Sequence, residues 1–112
     1  MCELCRKSLG SDERIGRIRR LCHRIISALK PQRLVLFGSF ARGDFHEGSD
    51  ADFLVVGGFE ERFFDRIGKV IGLGDGSIGV DALAYTPSEF KRLVAGKNPL
   101  VMRALREGLE IV

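Results

Sequence analysis

Leu34-Val35-Leu36-Phe37-Gly38-Ser39-Phe40-Ala41-Arg42-Gly43, followed five residues later by Ser49-Asp50-Ala51-Asp52-Phe53-Leu54-Val55-Val56, is the stretch on which the reading of this chain turns. The apolar run from Leu34 to Phe37, ended by Gly38, predicts a short buried strand. Glycine there lets the backbone turn sharply and approach a ligand, and a helical turn starting just after it would offer unpaired N–H donors to a phosphate. Ser39 adds a hydroxyl and Arg42 a guanidinium at the same place. No Gly-Lys-Ser/Thr follows, so this is not a Walker P-loop, and phosphate contacts would come from Ser39, the backbone and Arg42. A Gly-Ser turn after a strand is also, quite often, only a turn.

The second half of the stretch carries carboxylates. In a strand spanning Asp50 to Val56, positions 50 and 52 project to one face, so the two acids would stand about 7 Å apart along the backbone. Such a pair repels unless a divalent cation lies between its members, and magnesium takes hard oxygen ligands of this kind together with phosphate and water. The plain alternative is an acidic strand end solvated by water. Asp81 lies in a third apolar run, Gly79-Val80-Asp81-Ala82-Leu83-Ala84, where a buried acid needs a partner or a metal. If the second and third strands are neighbours, Asp81 approaches Asp50 and Asp52 and completes a three-carboxylate site. A rim aspartate, or one paired with an arginine, is the alternative.

Outward from this core, residues 12–30 space Ile15, Ile18, Cys22, Ile25, Ile26 and Leu29 as one helical stripe, with Ser11 as N-cap and Pro31 as stop. The stretch from Arg42 to Ser49 predicts a loop, with His46 as an exposed loop residue. Gly57 and Gly58 close the second strand ahead of a helix over roughly 60–71. Gly74, Gly76 and Gly79 spell the dinucleotide fingerprint but precede a strand, where the fingerprint follows one, so the segment from Gly72 to Gly79 is a turn. Thr86, Pro87 and Glu89 form a capping box for one helix, and Asn98 with Pro99 starts another that ends at Gly108. Leu109 to Val112 is the last predicted strand. The order helix, strand, strand, helix, strand, helix, helix, strand makes a small α/β (α+β) sheet domain with helices packed mainly on one face.

At 112 residues, 45% apolar and 29% charged, the chain has room for one ordinary core and no second comparable domain. The expected division is a tail over residues 1–10 and a single domain over 11–112. No apolar run reaches the roughly 18 residues of a membrane span, and MCELCRKSLG has no hydrophobic signal stretch, so the cytoplasm is the expected compartment. Three cysteines do not make a disulfide framework. Cys2 and Cys5 form a C-x-x-C, but the only candidates for a second half, Cys22 and His23, diverge by about 100° on a helix, which disfavours zinc. Charge is uneven: residues 1–42 hold ten Lys or Arg against three Asp or Glu, and residues 43–112 hold eight against twelve. The front half therefore suits phosphates and the second half suits metal. The arginines of the first helix are read as a solvated face, not a grip on nucleic acid.

The combination of Gly38-Ser39-x-x-Arg42-Gly43, Ser49-Asp50-x-Asp52 and the later strand residue Asp81 resembles the DNA polymerase β-like nucleotidyltransferase superfamily. Within it the chain looks like the minimal nucleotidyltransferases (MNT), among them the MntA-like antitoxins of HEPN/MNT toxin–antitoxin pairs. The likeness runs from the first helix to Val112. It departs at Phe53, where an aliphatic residue is commoner, and over the first ten residues, which have no counterpart.

The resemblance implies a nucleotidyltransferase fold with a small mixed sheet, and a reaction using two Mg2+ ions. Asp50 and Asp52 would hold both metals on the triphosphate of ATP, and Asp81 would bind the catalytic metal and help deprotonate the acceptor hydroxyl. Gly38, Ser39, Arg42 and Ser49 would form the nucleotide side, with Ser39 on the β and γ phosphates. It further implies AMP transfer to a tyrosine of a partner HEPN ribonuclease in a hetero-oligomer, while the composition and the first helix argue against a membrane or nucleic acid. The rivals are an antitoxin that acts by docking alone and a transferase acting on a small molecule. Shortness favours the protein acceptor, because little chain is left to enclose a drug.

Overall fold

The structure is a computed structural model and describes residues 13–112. The expected tail, Ser11 and the Cys2/Cys5 pair lie outside the described residues. The predicted apolar stripe is helix α1 (Glu13–Leu29), which buries Ile15, Ile18, Leu21, Cys22 and Ile25. Cys22 is buried, while the adjacent His23 is exposed, so the two do not converge on a metal.

Four strands make one sheet in the order β3-β2-β1-β4. Strand β1 (Arg33–Phe37) pairs antiparallel with both β2 (Ala51–Val56) and β4 (Leu109–Glu110). Strand β3 (Val80–Tyr85) pairs parallel with β2, and the parallel pairing needs the crossover through helix α3 (Phe63–Ile71). Between β1 and β2 lies a four-residue turn of helix, α2 (Ser39–Arg42).

Strand alternation sorts the side chains. Leu34, Leu36, Phe53, Val55 and Ala82 face the larger core with α1, Phe40 of α2 and Val70 of α3. Val35 and Leu54 face a smaller core with Ala104 of helix α5 (Pro99–Glu107), joined by Leu83, Tyr85 and Phe90. The mixed sheet with its helices mainly on one face is therefore the architecture, and α5 with helix α4 (Pro87–Ala95) forms the thinner second layer.

Several boundaries move by a few residues for local reasons. Helix α3 starts at Phe63, not near 60, because Glu61 is occupied elsewhere: its carbonyl accepts from Arg66 Nε at 2.7 Å and its carboxylate pairs with Lys69 at 2.7 Å. Strand β2 begins at Ala51, one residue after Asp50, and β4 is only two residues long, although Ile111 still donates to the Leu34 carbonyl at 2.8 Å. The two predicted helix starts hold. Thr86 and Glu89 form a complete capping box at α4, and Asn98 Oδ1 accepts from the N–H groups of Leu100 and Val101, each at 3.1 Å.

Candidate active site

Sheet register assembles the site. Phe37 is paired with Asp52 across β1 and β2, and Asp52 with Asp81 across β2 and β3, so the three side chains lie in one row on the α5 side of the sheet. The neighbour relation on which the third carboxylate depended is thus present. Asp50 precedes the strand by one residue, beside Gly79, whose carbonyl accepts from Ala51 N–H at 2.8 Å.

Gly38 joins β1 to α2 with φ 77°, a conformation that L side chains rarely adopt. It is also the point of closest approach, since a Cβ on Gly38 would run into the carboxylate of Asp52. Gly79 serves Asp50 in the same way, because a Cβ there would collide with the Asp50 carboxylate. Glycine therefore leaves room for a carboxylate on both sides of the acidic row, and at Gly38 the backbone sign calls for it as well. The turn at Gly38 was legible in the sequence, but its close approach to Asp52 was not, nor was the matching approach of Gly79 to Asp50, for which the only signal was a glycine immediately before the third strand.

After Gly38 the chain turns into α2, with Ala41 and Arg42 N–H donating back to the Gly38 carbonyl at 3.1 and 3.0 Å. The N–H groups at the start of such a turn have no partner within it. The Ser39 side chain is half-buried, and no hydrogen bond holds its hydroxyl among the described residues. Phe40 fixes the turn from beneath by stacking on Phe45 at 4.6 Å, with the Arg14 guanidinium over both rings.

Ser49 and Arg42 are committed to the scaffold. The Ser49 hydroxyl accepts from His46 N–H at 2.9 Å, and Ser49 N–H donates to the His46 carbonyl at 3.0 Å, closing the loop that delivers Asp50. Arg42 Nε contacts Asp44 at 3.2 Å and its Nη1 contacts Glu107 at 3.1 Å, which joins the Gly-Ser turn to the end of α5. Both acids raise the Arg42 pKa, Asp44 more strongly. His46 is exposed, and its Nδ1 accepts from Gly48 N–H at 3.1 Å.

Asp52 is half-buried, while Asp50 and Asp81 are exposed. Burial pushes the Asp52 carboxyl above the ordinary range, the charges of Asp81 and Asp50 push it further, and Arg42 only partly opposes them. Asp52 and Asp81 wall one notch, and Asp50 borders a second depression with Ser49, Arg14 and Arg17. Among the described residues no three His, Cys, Asp or Glu side chains close on a single point as a metal cage would. Repelling carboxylates fan apart in this way, and the donor set still suits Mg2+, which usually takes one or two carboxylates and completes its shell with phosphate and water.

A backbone turn with unpaired donors beside an acidic row is a setting for phosphate and charge neutralisation, and comparison with known proteins points the same way. The nucleotidyltransferase domain family model matches residues 18–107. The chain belongs to the nucleotidyltransferase domain family. A Sulfolobus solfataricus crystal structure described as a "putative nucleotidyltransferase" is 30% identical, with a TM-score of 0.52, covering 69% of this chain and 70% of that one. No curated protein matches the chain. In this nucleotidyltransferase no helix among the described residues is long and apolar enough to cross a membrane.

Proposed function

We propose that this nucleotidyltransferase is a minimal enzyme of the MNT type that transfers AMP from ATP to a tyrosine hydroxyl on a HEPN-domain partner, with two Mg2+ ions. The observation that carries the reading is the registered pair Asp52–Asp81 beside Gly38 and Ser39. A protein that only docked would have no use for half-buried Asp52 between two like charges, each of which raises its pKa.

In this reading Asp50 and Asp52 would hold the metal ions, and Asp81 would face the reacting centre from the acceptor side. When bound there, Mg2+ would supply neutralisation of the charge that develops during transfer. The Ser39 hydroxyl and the first N–H groups of α2 bind the β and γ phosphates. Arg42 acts through position, holding the turn against α5, and Ser49 holds the loop before Asp50. Catalysis then consists of positioning and electrostatics, the general pattern of phosphoryl transfer, here at the α phosphorus. The proposed domain remains 11–112.

The test is co-expression with the product of the adjacent gene, followed by incubation with α-labelled ATP and Mg2+. Label on a tyrosine of the partner, lost in Asp52→Asn and Asp81→Asn, is the expected result. Tight complex formation without label, unchanged in Asp52→Asn, would establish the docking antitoxin instead. Label only on an added small molecule would establish the third reading.

A further inference from the structure

Three arginines of α1 reach across to loops. Arg14 Nη1 donates to the His46 carbonyl at 2.6 Å, Arg17 Nη1 to the Ser77 carbonyl at 3.2 Å and Arg24 Nε to the Leu73 carbonyl at 2.8 Å. The arginine face expected to be merely solvated therefore straps two segments far apart in the chain, the loop between α2 and β2 and the glycine-rich turn before β3. Hydrogen bonds from a charged donor are roughly twice as strong as neutral ones. Arg17 and Arg24 stand about two turns apart on one face of α1 and grip the two ends of the glycine-rich turn. Glu13 holds Arg17 from within the helix at 3.0 Å, and Arg14 also lies over the rings of Phe40 and Phe45.

The two strapped segments meet at Asp50. Ser49 N–H donates to the His46 carbonyl, the same oxygen that Arg14 takes, and the Ser49 hydroxyl accepts from His46 N–H. Gly79, just beyond Ser77, accepts from Ala51 N–H at 2.8 Å and passes so close to the Asp50 carboxylate that a Cβ would collide with it. Asp50 itself stands before β2, outside the strand ladder that holds Asp52 and Asp81. Its aim is therefore left to the two loops, and loops without such straps are the mobile parts of a fold.

We propose that Arg14 and Arg17 are positioning residues for Asp50, a clasp by which α1 fixes the spacing of the two loops that seat this carboxylate. The proposal rests on the nucleotidyl-transfer reading above, in which Asp50 would hold metal. A metal ligand depends on the hydrogen bonds that orient it, and their loss typically costs about 10- to 100-fold in affinity. Charge alone predicts the opposite. Arg14 and Arg17 border the same depression as Asp50, so their charges repel a cation bound there, and removing either should tighten metal binding if it has no positioning role. The sign of the change thus separates a clasp from a bystander charge. Arg20, exposed on the same helix, makes no hydrogen bond or ion pair among the described residues and supplies the control.

The experiment uses the full chain carrying Arg14→Gln, Arg17→Gln or Arg20→Gln, each with and without Asp50→Asn. In native-state hydrogen exchange the Ser49 and Ala51 amides should lose about tenfold in protection in the first two variants and none in Arg20→Gln, with the amide of buried Leu54 unchanged. Leu54 protection marks a folded chain, and Arg17→Gln carries the test if Arg14→Gln loses it. Mn2+ binding, read from the electron paramagnetic resonance of the free ion, should weaken about tenfold in Arg14→Gln and in Arg17→Gln. In the Asp50→Asn background, where no carboxylate is left to aim, the same substitutions should weaken it less than about twofold. Tighter Mn2+ binding, equal weakening in both backgrounds, or unchanged protection at Ser49 and Ala51 overturns the proposal. A wild-type chain that binds no Mn2+, alone or with ATP, sinks the transfer reading, while exchange at Ser49 and Ala51 still decides the clasp.

Discussion

Neutralising Asp52 should destroy activity and stabilise the fold. Asp52 and Asp81 are registered neighbours on adjacent strands, and strands lie about 4.8 Å apart, which sets their charges about 5–6 Å from each other. Coulomb repulsion at that distance is about 0.8 kcal/mol in a water-like medium and about 3 kcal/mol at an effective dielectric of 20. Asp81 is exposed, so solvent draws the value toward the lower end, about 1 kcal/mol. For a domain of this size Asp52→Asn should therefore raise Tm by about 4 °C at pH 8 in EDTA. Because the folded-state pKa of Asp52 is raised, its cost to stability is full above that pKa and disappears as pH falls through it and then through the ordinary carboxylate range. The gap between variant and wild type should close on acidification, as read by circular-dichroism melts from pH 8 to pH 4. Mg2+ should raise the Tm of the wild type more than that of the variant, by mass action on the native state. A variant less stable than wild type at pH 8 in EDTA, or a gap that does not change with pH, would refute the reasoning.

Other substitutions probe the rest of the site. Gly38→Ala combines a left-handed backbone with a collision on Asp52, and should cost about 1–3 kcal/mol in urea melts as well as transfer activity. Gly79→Ala should displace the Asp50 carboxylate and lower Mg2+ affinity, measured by calorimetry, more than it lowers Tm. Glu107→Gln releases Arg42 from α5, so KM for ATP should rise with Tm nearly unchanged, as is usual for exposed ion pairs. Thr86→Ala removes half of the capping box and should lower stability by about 1 kcal/mol, with activity retained.

What could be read from sequence divides by distance along the chain. Both helix caps, at Thr86 and Asn98, were legible because every atom involved lies within three residues. The strand period predicts a shared face for positions 50 and 52, but Asp50 stands just outside the strand and borders a separate depression from Asp52. The pairing of β2 with β3 is not local, and Asp81 could be placed beside Asp52 only on the condition that the strands adjoin. Arg42 reads from its neighbours as a phosphate contact. Its partner Glu107 lies 65 residues away, and nothing near Arg42 signals it. The exposure of Leu100 carried no signal either, since an apolar residue early in an amphipathic helix looks like core until the sheet beneath it is known. Leu21, absent from the predicted stripe, is almost fully buried because the helix packs over a wider arc than one line of residues.

The antiparallel pairing of β1 with β2 has a kinetic consequence. Gly38, Ser39, Asp50 and Asp52 all lie on or between two consecutive strands, within Arg33–Val56, so that part of the acidic site belongs to one local hairpin. Hairpins form in microseconds, whereas a parallel partner waits until a crossover has closed. Asp81 arrives with that crossover. During folding the part of the site on β1 and β2 should therefore take shape before Asp81 joins it, and damage to α3 should delay the arrival of Asp81 while leaving the hairpin able to form.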